Sequence, residues 1–442
     1  MKRTLYFYTF VAAIGGLLFG FDTAVISGTI PFITDFFQLT DVLLGWAVSS
    51  ALIGCVLGAI AVGKPADMYG RKNMLLLMAV LFLVSAVGTG LANSLTTFIS
   101  YRFIGGLAVG GASVLSPMYI SEIAPARMRG RLVASAQLAI VLGILLAFFS
   151  NYLLVNSGEN NWRYMFIAEG VPAMLFFVLL FFVERSPRWL VKMDRIAEAA
   201  AVIQHVNPGT NVESILNEII QSIDKEVFHK SIVLFKKPYL RIVLIGIVVG
   251  MFNQLTGINA IMYYAPSIFK SAGFANDSAL LQTVLIGMTN LVFTVIAMSL
   301  IDKLGRKFLL LVGACGMSIF LGLFAWAYLS EIFAGYLLLI FLIGFAAFFA
   351  SSQGIVIWVI LSEMFPNNIR ARASAIGSFS VWCFNAATTF LFPVVAGKFG
   401  IGYVFIFYAV ATLLSFFFFL KFLVETKGKT LEELEKIVLK QS

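Results

Sequence analysis

Runs of about twenty apolar residues recur from one end of this chain to the other, and that recurrence restricts the fold more than any single motif. A helix rises about 1.5 Å per residue, so each run can cross a hydrocarbon core of about 30 Å. Lipid offers the backbone no hydrogen-bond partner, so a crossing segment must satisfy its own amides, and uninterrupted apolar runs do this as helices. The runs fall at 5–30, 42–63, 73–92, 97–121, 131–154 and 163–183, then at 240–270, 279–301, 307–329, 334–361, 371–396 and 401–424. The composition agrees: 60% of the 442 residues are hydrophobic and 12% charged, with a mean hydropathy of +0.95 that no ordinary soluble domain approaches. An all-α integral membrane protein of about twelve transmembrane helices is expected.

The charges orient it. The first span follows Met1-Lys-Arg directly, is too long for a removable signal and has no small-residue cleavage site. Of the 31 Lys and Arg, only Arg163, Lys270 and Lys398 fall in loops that this span order puts outside, and Arg102 lies within a span. Both termini are therefore expected in the cytoplasm, and the net charge of +9 faces anionic membrane lipid rather than nucleic acid. The short polar tail and lack of an evident glycosylated outer loop fit a bacterial inner (plasma) membrane. Cys55, Cys315 and Cys383 sit in separate spans, and the two histidines, His205 and His229, lie in the central polar segment. No disulfide framework, metal site or cofactor is expected from such spacing.

An internal repeat organises the spans. Asp67-Met-Tyr-Gly-Arg-Lys72 returns as Asp302-Lys-Leu-Gly-Arg-Lys307, and Ser121-Glu-Ile-Ala-Pro-Ala-Arg-Met-Arg-Gly-Arg131 returns as Ser362-Glu-Met-Phe-Pro-Asn-Asn-Ile-Arg-Ala-Arg372. Two unrelated motifs keep their order and nearly their separation, which points to a duplicated half of six spans. The expected division is a first six-helix bundle over 1–184, a cytoplasmic helical linker over 185–239, a second bundle over 240–426 and a cytoplasmic C-terminal helix over 427–442. In the linker, Ser186-Pro187 reads as an N-cap followed by Pro at the first helical position, and apolar residues recur at helical spacing over 196–206 and 214–228. In the tail, Thr430-Leu-Glu-Glu433 has capping-box spacing.

The repeated motifs carry charge at the membrane edge. In the Asp-x-x-Gly-Arg-Lys loops, Gly70 and Gly305 permit a tight turn, while Asp67 and Asp302 can accept from Arg71 and Arg306 or from free amides of the next helix. Glu122 and Glu363 sit where a lone carboxylate is unfavourable, and Arg129 and Arg370, seven residues on, can close back across the Pro turn or onto the other loop. An intracellular ion-pair latch is expected, made when the inner side is shut and broken when it opens. Helix-capped, positive loops of purely structural purpose are the plainer reading.

Deeper in the membrane the sequence places one acid and one base. Asp22 lies about 16 residues into the first span, hence roughly 24 Å from its cytoplasmic start, and Arg102 lies roughly 10 Å below the outer surface in the fourth. Within a core of about 30 Å the two depths coincide, which invites pairing. Proton coupling would follow if ionised Asp22 is held by Arg102 and released on protonation; a permanent structural pair is the alternative. A second intramembrane carboxylate partnered with Asp22 is not expected.

The most polar intramembrane stretch is Asn253-Gln-Leu-Thr-Gly-Ile-Asn-Ala-Ile-Met-Tyr-Tyr-Ala-Pro266. On a straight helix Thr256, Asn259 and Tyr263 share a face and Gln254 falls off it, but Gly257 and Pro266 argue that the helix is interrupted. An interrupted span carrying hydrogen-bonding side chains is the sequence mark of a midplane binding site, and amides with aromatic faces suit a neutral polyhydroxyl solute better than an ion. Helix-joining hydrogen bonds are the alternative.

Taken together, Gly20-Phe-Asp-Thr, the two Asp-x-x-Gly-Arg-Lys loops, Tyr101-Arg-Phe-Ile-Gly-Gly106, Glu122 with Arg129, Glu184-Arg-Ser-Pro-Arg188, Asn253 to Asn259, Tyr263-Tyr264, Trp358 with Glu363 and Glu425-Thr-Lys-Gly428 resemble the sugar porter family of the major facilitator superfamily. The resemblance runs from about Gly15 to Glu433. It implies two six-helix bundles around a central cavity, with Gln137, Asn253, Gln254, Asn259, Tyr263, Asn290 and Trp358 facing sugar and Glu184 and Arg188 joining the latch. Asp22 at its position is similar to the proton-coupled members. Three positions depart from the family: Asn253 is one methylene shorter than the usual glutamine, Ile355 replaces the proline before Trp358, and Val381 stands where relatives often place an amide before Trp382. One absent hydrogen bond to a hydroxyl is worth about 1 to 3 kcal/mol, enough to change sugar preference.

The expectation is a proton-coupled hexose or pentose symporter, with monosaccharide, proton and membrane lipid as partners, acting as a monomer by alternating access. A facilitative sugar uniporter or a polyol (inositol) symporter is the alternative. A sugar sensor would carry a long soluble extension, and an enzyme would need a nucleophile with its base or a metal cluster, neither of which the spans offer.

Overall fold

The computed structural model describes residues 3–125, 127–209, 211–227, 234–235, 239–333, 336–366 and 369–427. His229 and the helix expected from Thr430 lie outside the described residues. Among those described, every regular element is a helix. Twelve segments are long and apolar enough to cross a membrane: Arg3–Phe37, Asp41–Ala61, Arg71–Gly90, Leu95–Ile123, Arg129–Leu154, Asn161–Leu180, Leu240–Ser271, Asn276–Leu304, Arg306–Leu329, Leu337–Glu363, Arg372–Phe399 and Ile401–Phe422. The protein is an all-α membrane protein with two six-span bundles and short helices between them.

Some ends differ from the sequence expectation for a physical reason. Hydropathy marks where a helix crosses hydrocarbon, whereas the helix itself continues until something caps it. The first span therefore runs through Pro31 to Phe37 rather than stopping at residue 30. It ends where Gln38 turns left-handed at φ 52°, with its Nε2 donating to the Asp35 carbonyl at 2.6 Å.

Three spans are broken. The sixth divides at Glu169 into Asn161–Ala168 and Gly170–Leu180. The seventh divides at Gly257 into Leu240–Leu255 and Ile258–Ser271, and the tenth at Ser351–Ser352 into Leu337–Ala350 and Gln353–Glu363. Among its described residues the linker forms three helices, Pro187–Lys192, Ile196–Val206 and Val212–Val227. Ser186 caps the first as its sequence indicates, its Oγ accepting from the Trp189 amide at 3.3 Å with Pro187 opening the helix.

Two compact units result. The first comprises Met1–Ile26, Ser50–Ser150 and Ser157–Lys230, and the second Ser27–Ser49, Asn151–Asn156 and Ser231–Ser442. The outer-numbered segments of the first, second and fifth spans thus pack with the C-terminal repeat, a division that the repeat in the sequence does not show. Within the first unit, Phe98, Trp162 and Phe166 meet edge to face with ring centroids 5.5 to 6.5 Å apart. Within the second, Leu310, Val356, Ile357, Ile360 and Phe419 are fully buried at the centre of the apolar cluster. In that unit Trp46 also packs edge-on against Phe390 at 5.2 Å.

Candidate functional site

In the first unit the two charges that the sequence places at one depth meet. Arg102 and Asp22 are 1% and 0% exposed, Arg102 Nη1 forms the ion pair with Asp22 Oδ1, and Nη2 donates to the Asp22 carbonyl at 3.1 Å. The guanidinium also lies over the Phe166 ring, 5.4 Å from its centroid. A buried ion pair survives loss of solvation only with this kind of added contact.

The expectation that no second carboxylate accompanies Asp22 is corrected. Glu169, at the break in the sixth span, is fully buried and within electrostatic reach of both Asp22 and Arg102. Neither of its carboxylate oxygens, nor Asp22 Oδ2, nor Arg102 Nε, has a hydrogen-bond partner among the described residues. The signal was present in Ala168-Glu169-Gly170, an acid in the middle of an apolar run, and an acid there calls for a functional reading. Gln137, on the span Arg129–Leu154 of this unit, is half-buried.

In the second unit the seventh span breaks where the polar stretch begins. Gly257 takes φ +79°, a left-handed conformation that costs other residues about 1 to 2 kcal/mol, and a Cβ there would strike the Tyr408 ring. The break joins side chains that a straight helix separates. Asn259 Nδ2 donates to Gln254 Oε1 at 2.5 Å, Gln254 Nε2 donates to Asn253 Oδ1 at 2.8 Å, and Asn253 Nδ2 reaches the Gln353 carbonyl at 3.4 Å. Thr256 instead turns back to the Asn253 carbonyl at 2.8 Å. Tyr263 and Asn290 are buried and Trp358 is 37% exposed. Tyr264, beside Tyr263, donates to the Thr389 carbonyl at 3.1 Å.

The repeated charged motifs form the same device twice, once in each unit. Arg71 binds Glu122 through Nε and Nη2 at 3.0 and 2.9 Å, while its Nη1 reaches Asp67 at 3.0 Å and the Ala66 carbonyl at 2.9 Å. Arg306 repeats this with Glu363 at 3.2 Å, Asp302 at 2.9 Å and the Ile301 carbonyl at 3.3 Å. The second oxygen of each glutamate takes a hydroxyl, from Ser186 to Glu122 and from Thr426 to Glu363 at 2.6 Å. Even the following lysines correspond: Lys72 donates to the Phe181 carbonyl at 3.2 Å and Lys307 to the Leu420 carbonyl at 2.8 Å. Gly70 and Gly305 both take positive φ, 87° and 93°.

The symmetry ends at the next acid. Glu425 caps the helix Arg306–Leu329, accepting from the Arg306 and Lys307 amides at 3.0 Å each. Burial pushes this carboxyl up, but the Lys427, Arg306 and Lys307 amides outweigh it, and Glu425 titrates below the ordinary 4.5. Glu184 instead meets His205 of the linker, Oε1 to Nδ1 at 3.0 Å. Trp189 ties the linker to the first device through Nε1 and the Asp67 carbonyl at 2.9 Å. Arg370 closes across the Pro turn onto the Phe365 carbonyl at 3.2 Å, as its spacing allows, whereas Arg129 and Arg188 line a cavity of about 430 Å³ beside Glu122. Ser186, Thr426 and Glu425 were not among the expected latch residues, although their motifs are visible in the sequence.

Broken spans lined with amides, a buried charge cluster and duplicated ion-pair loops define a polytopic membrane carrier of a neutral polar solute. The family follows from comparison. A model described as sugar (and other) transporter matches residues 8–438, and the chain belongs to that family. It is 39% identical over 435 residues to an arabinose-proton symporter of Bacillus subtilis, covering 97% of this chain and 94% of the relative. To a D-xylose-proton symporter of Escherichia coli it is 39% identical over 468 residues, with the same coverages. The solved inward-open conformation of the xylose transporter XylE from E. coli matches with a TM-score of 0.87 at 38% identity, over 98% of this chain and 99% of that one.

Proposed function

We propose that the protein is a proton-coupled monosaccharide symporter of a bacterial inner membrane, carrying a pentose or hexose chemically unchanged by alternating access. The observation that carries this reading is the buried set of Asp22, Arg102 and Glu169 in a chain of the sugar transporter family. With both carboxylates ionised the set is one negative charge in excess, and one bound proton makes it neutral. An uncompensated charge at bilayer depth costs about 3 kcal/mol or more, so proton binding can bias one conformation over another. Asp22 is the proton carrier in this scheme, and Arg102 sets its affinity by holding the ionised form.

For the sugar, Asn253, Gln254, Asn259 and Asn290 supply hydroxyl partners, Tyr263 a phenol, and Trp358 an apolar face. The amide relay from Asn259 to Gln353 supports this, because its members are held by one another and preorganised for a polar solute. The Arg71–Glu122 and Arg306–Glu363 devices act as conformational latches, assisted by Asp67, Gly70, Glu184, Arg188, Arg129, Asp302, Gly305 and Arg370. The repeat divides the chain into bundles 1–184 and 240–426 joined by the linker 185–239, with both termini cytoplasmic and a single chain as the working unit in membrane lipid.

Uptake into proteoliposomes tests the reading, over a panel of pentoses, hexoses and inositols with and without an inward proton gradient. The gradient should drive accumulation of at least one monosaccharide, and Asp22→Asn should lose accumulation while keeping sugar exchange. If the gradient changes nothing and both proteins only equilibrate sugar, the protein is a facilitator and Asp22–Arg102 a structural pair.

A further inference from the structure

One polar side chain beside the amide relay has no role in the latch or the charge cluster. Gln353 opens the second half of the broken tenth span and is fully buried, and neither its Oε1 nor its Nε2 has a hydrogen-bond partner among the described residues. Burying an amide without partners is unfavourable, so such a group is retained where another state of the protein satisfies it. Its position says what that partner is. Its own carbonyl receives Asn253 Nδ2 at 3.4 Å, which fixes the start of the half-helix against the Asn253–Gln254–Asn259 relay. Trp358 follows five residues later on the same half-helix.

The break adds to this. The first carbonyl-bonded amides after it are those of Ile355 and Val356, both to Ser352, which leaves the Gln353 and Gly354 amides at the free N-terminus of an eleven-residue helix. Free amides and an unpartnered carboxamide together make a donor-rich, neutral corner. A side-chain carboxamide holds a donor and an acceptor side by side, the arrangement that two neighbouring hydroxyls of a pyranose complement, each hydroxyl being donor and acceptor in turn.

We propose that Gln353 is a specificity residue whose side-chain amide bonds two adjacent ring hydroxyls of the carried monosaccharide. This rests on the sugar-carrier reading above. Gln353 thereby adds a bidentate contact to the amide site, and the preferred sugar is one with a vicinal diol at that position.

The test is equilibrium binding of radiolabelled monosaccharide to the purified full chain, competed by single-deoxy analogues at each ring position, for the native protein, Gln353→Met and Gln353→Asn. Melting temperature without sugar is measured alongside to report folding. Two deoxy analogues at neighbouring positions should bind the native protein roughly tenfold or more weakly than the parent sugar. Gln353→Met, matched in length but without the amide, should bind the parent as weakly as those analogues and cease to discriminate them, while Gln353→Asn restores part of the discrimination. If Gln353→Met folds and keeps the native ranking of the deoxy sugars, the amide serves packing or a bound water and the proposal is overturned. If Gln353→Met fails to fold, Gln353→Asn decides alone: an unchanged ranking overturns the proposal, and a ranking altered only at the two adjacent positions upholds it. A native protein that binds no monosaccharide at all would instead remove the carrier reading, and this inference with it.

Discussion

Arg102 binds both the carboxylate and the carbonyl of Asp22 and lies within electrostatic reach of Glu169, so the effect of removing it should exceed that of removing either acid. Arg102→Met leaves Asp22 and Glu169 without a cation in a buried site, and loss of one partner of a buried pair costs about 3 to 5 kcal/mol. A large drop in melting temperature is expected, and adding Asp22→Asn to Arg102→Met should recover part of it. A pair of single variants whose effects simply add would show that Asp22 and Arg102 are not coupled. Asp22 and Arg102 were legible as a pair because both are charged residues inside apolar runs at one computed depth. Glu169 obeys the same rule, but its nearness to the other two comes from the packing of the sixth span and not from its own sequence neighbourhood.

Two helical breaks carry the proposed sugar site, and one is set by a single backbone conformation. Gly257→Ala places a Cβ at φ +79° and against Tyr408, so a loss of about 1 to 2 kcal/mol from the backbone alone is expected, with more from the collision. Sugar affinity should fall with it, since the Gln254–Asn259 bond exists only across the break. Thermal melting and sugar binding of that one variant check both statements. At the duplicated loops the burial differs, 5% and 7% exposed for Arg71 and Glu122 against 12% and 26% for Arg306 and Glu363. Glu122→Gln should therefore destabilise more than Glu363→Gln, by about 1 kcal/mol or more, in melting measured at neutral pH. Glu425 is a carboxyl held below its ordinary value, so the stability it contributes is complete above pH 4.5 and fades as the pH falls through its lower folded value. The melting difference between native protein and Glu425→Gln should accordingly be present at pH 7 and vanish in strong acid.

At the scale of the whole molecule the repeated motifs form two ion-pair devices, proposed above as latches, that share no residue. Each lies inside one compact unit, Arg71–Glu122–Ser186 in the first and Arg306–Glu363–Thr426 in the second. Stability losses from Glu122→Gln and Glu363→Gln should add within about 0.5 kcal/mol in the double variant, as they do for separate sites. Transport should not add in the same way, because alternating access couples both units to one equilibrium. Measuring both quantities on the same three variants separates a latch from a pair of structural bridges. The sequence by itself determined the twelve spans, the repeat, the repeated charged motifs and the depth of the Asp22–Arg102 pair, because an apolar run of spanning length satisfies its backbone in hydrocarbon as a helix and every charge within it is penalised. It also located the polar stretch of the seventh span and the helix break that Gly257 permits. Only the tertiary structure decided which partners those groups take: Arg71 rather than Arg129 for Glu122, Glu425 rather than Asp302 as the helix cap, Glu169 beside Asp22, and Gln353 beside the amide relay. Those choices depend on side chains brought together from distant spans, and contact at such sequence separation is set by packing, which no local periodicity encodes.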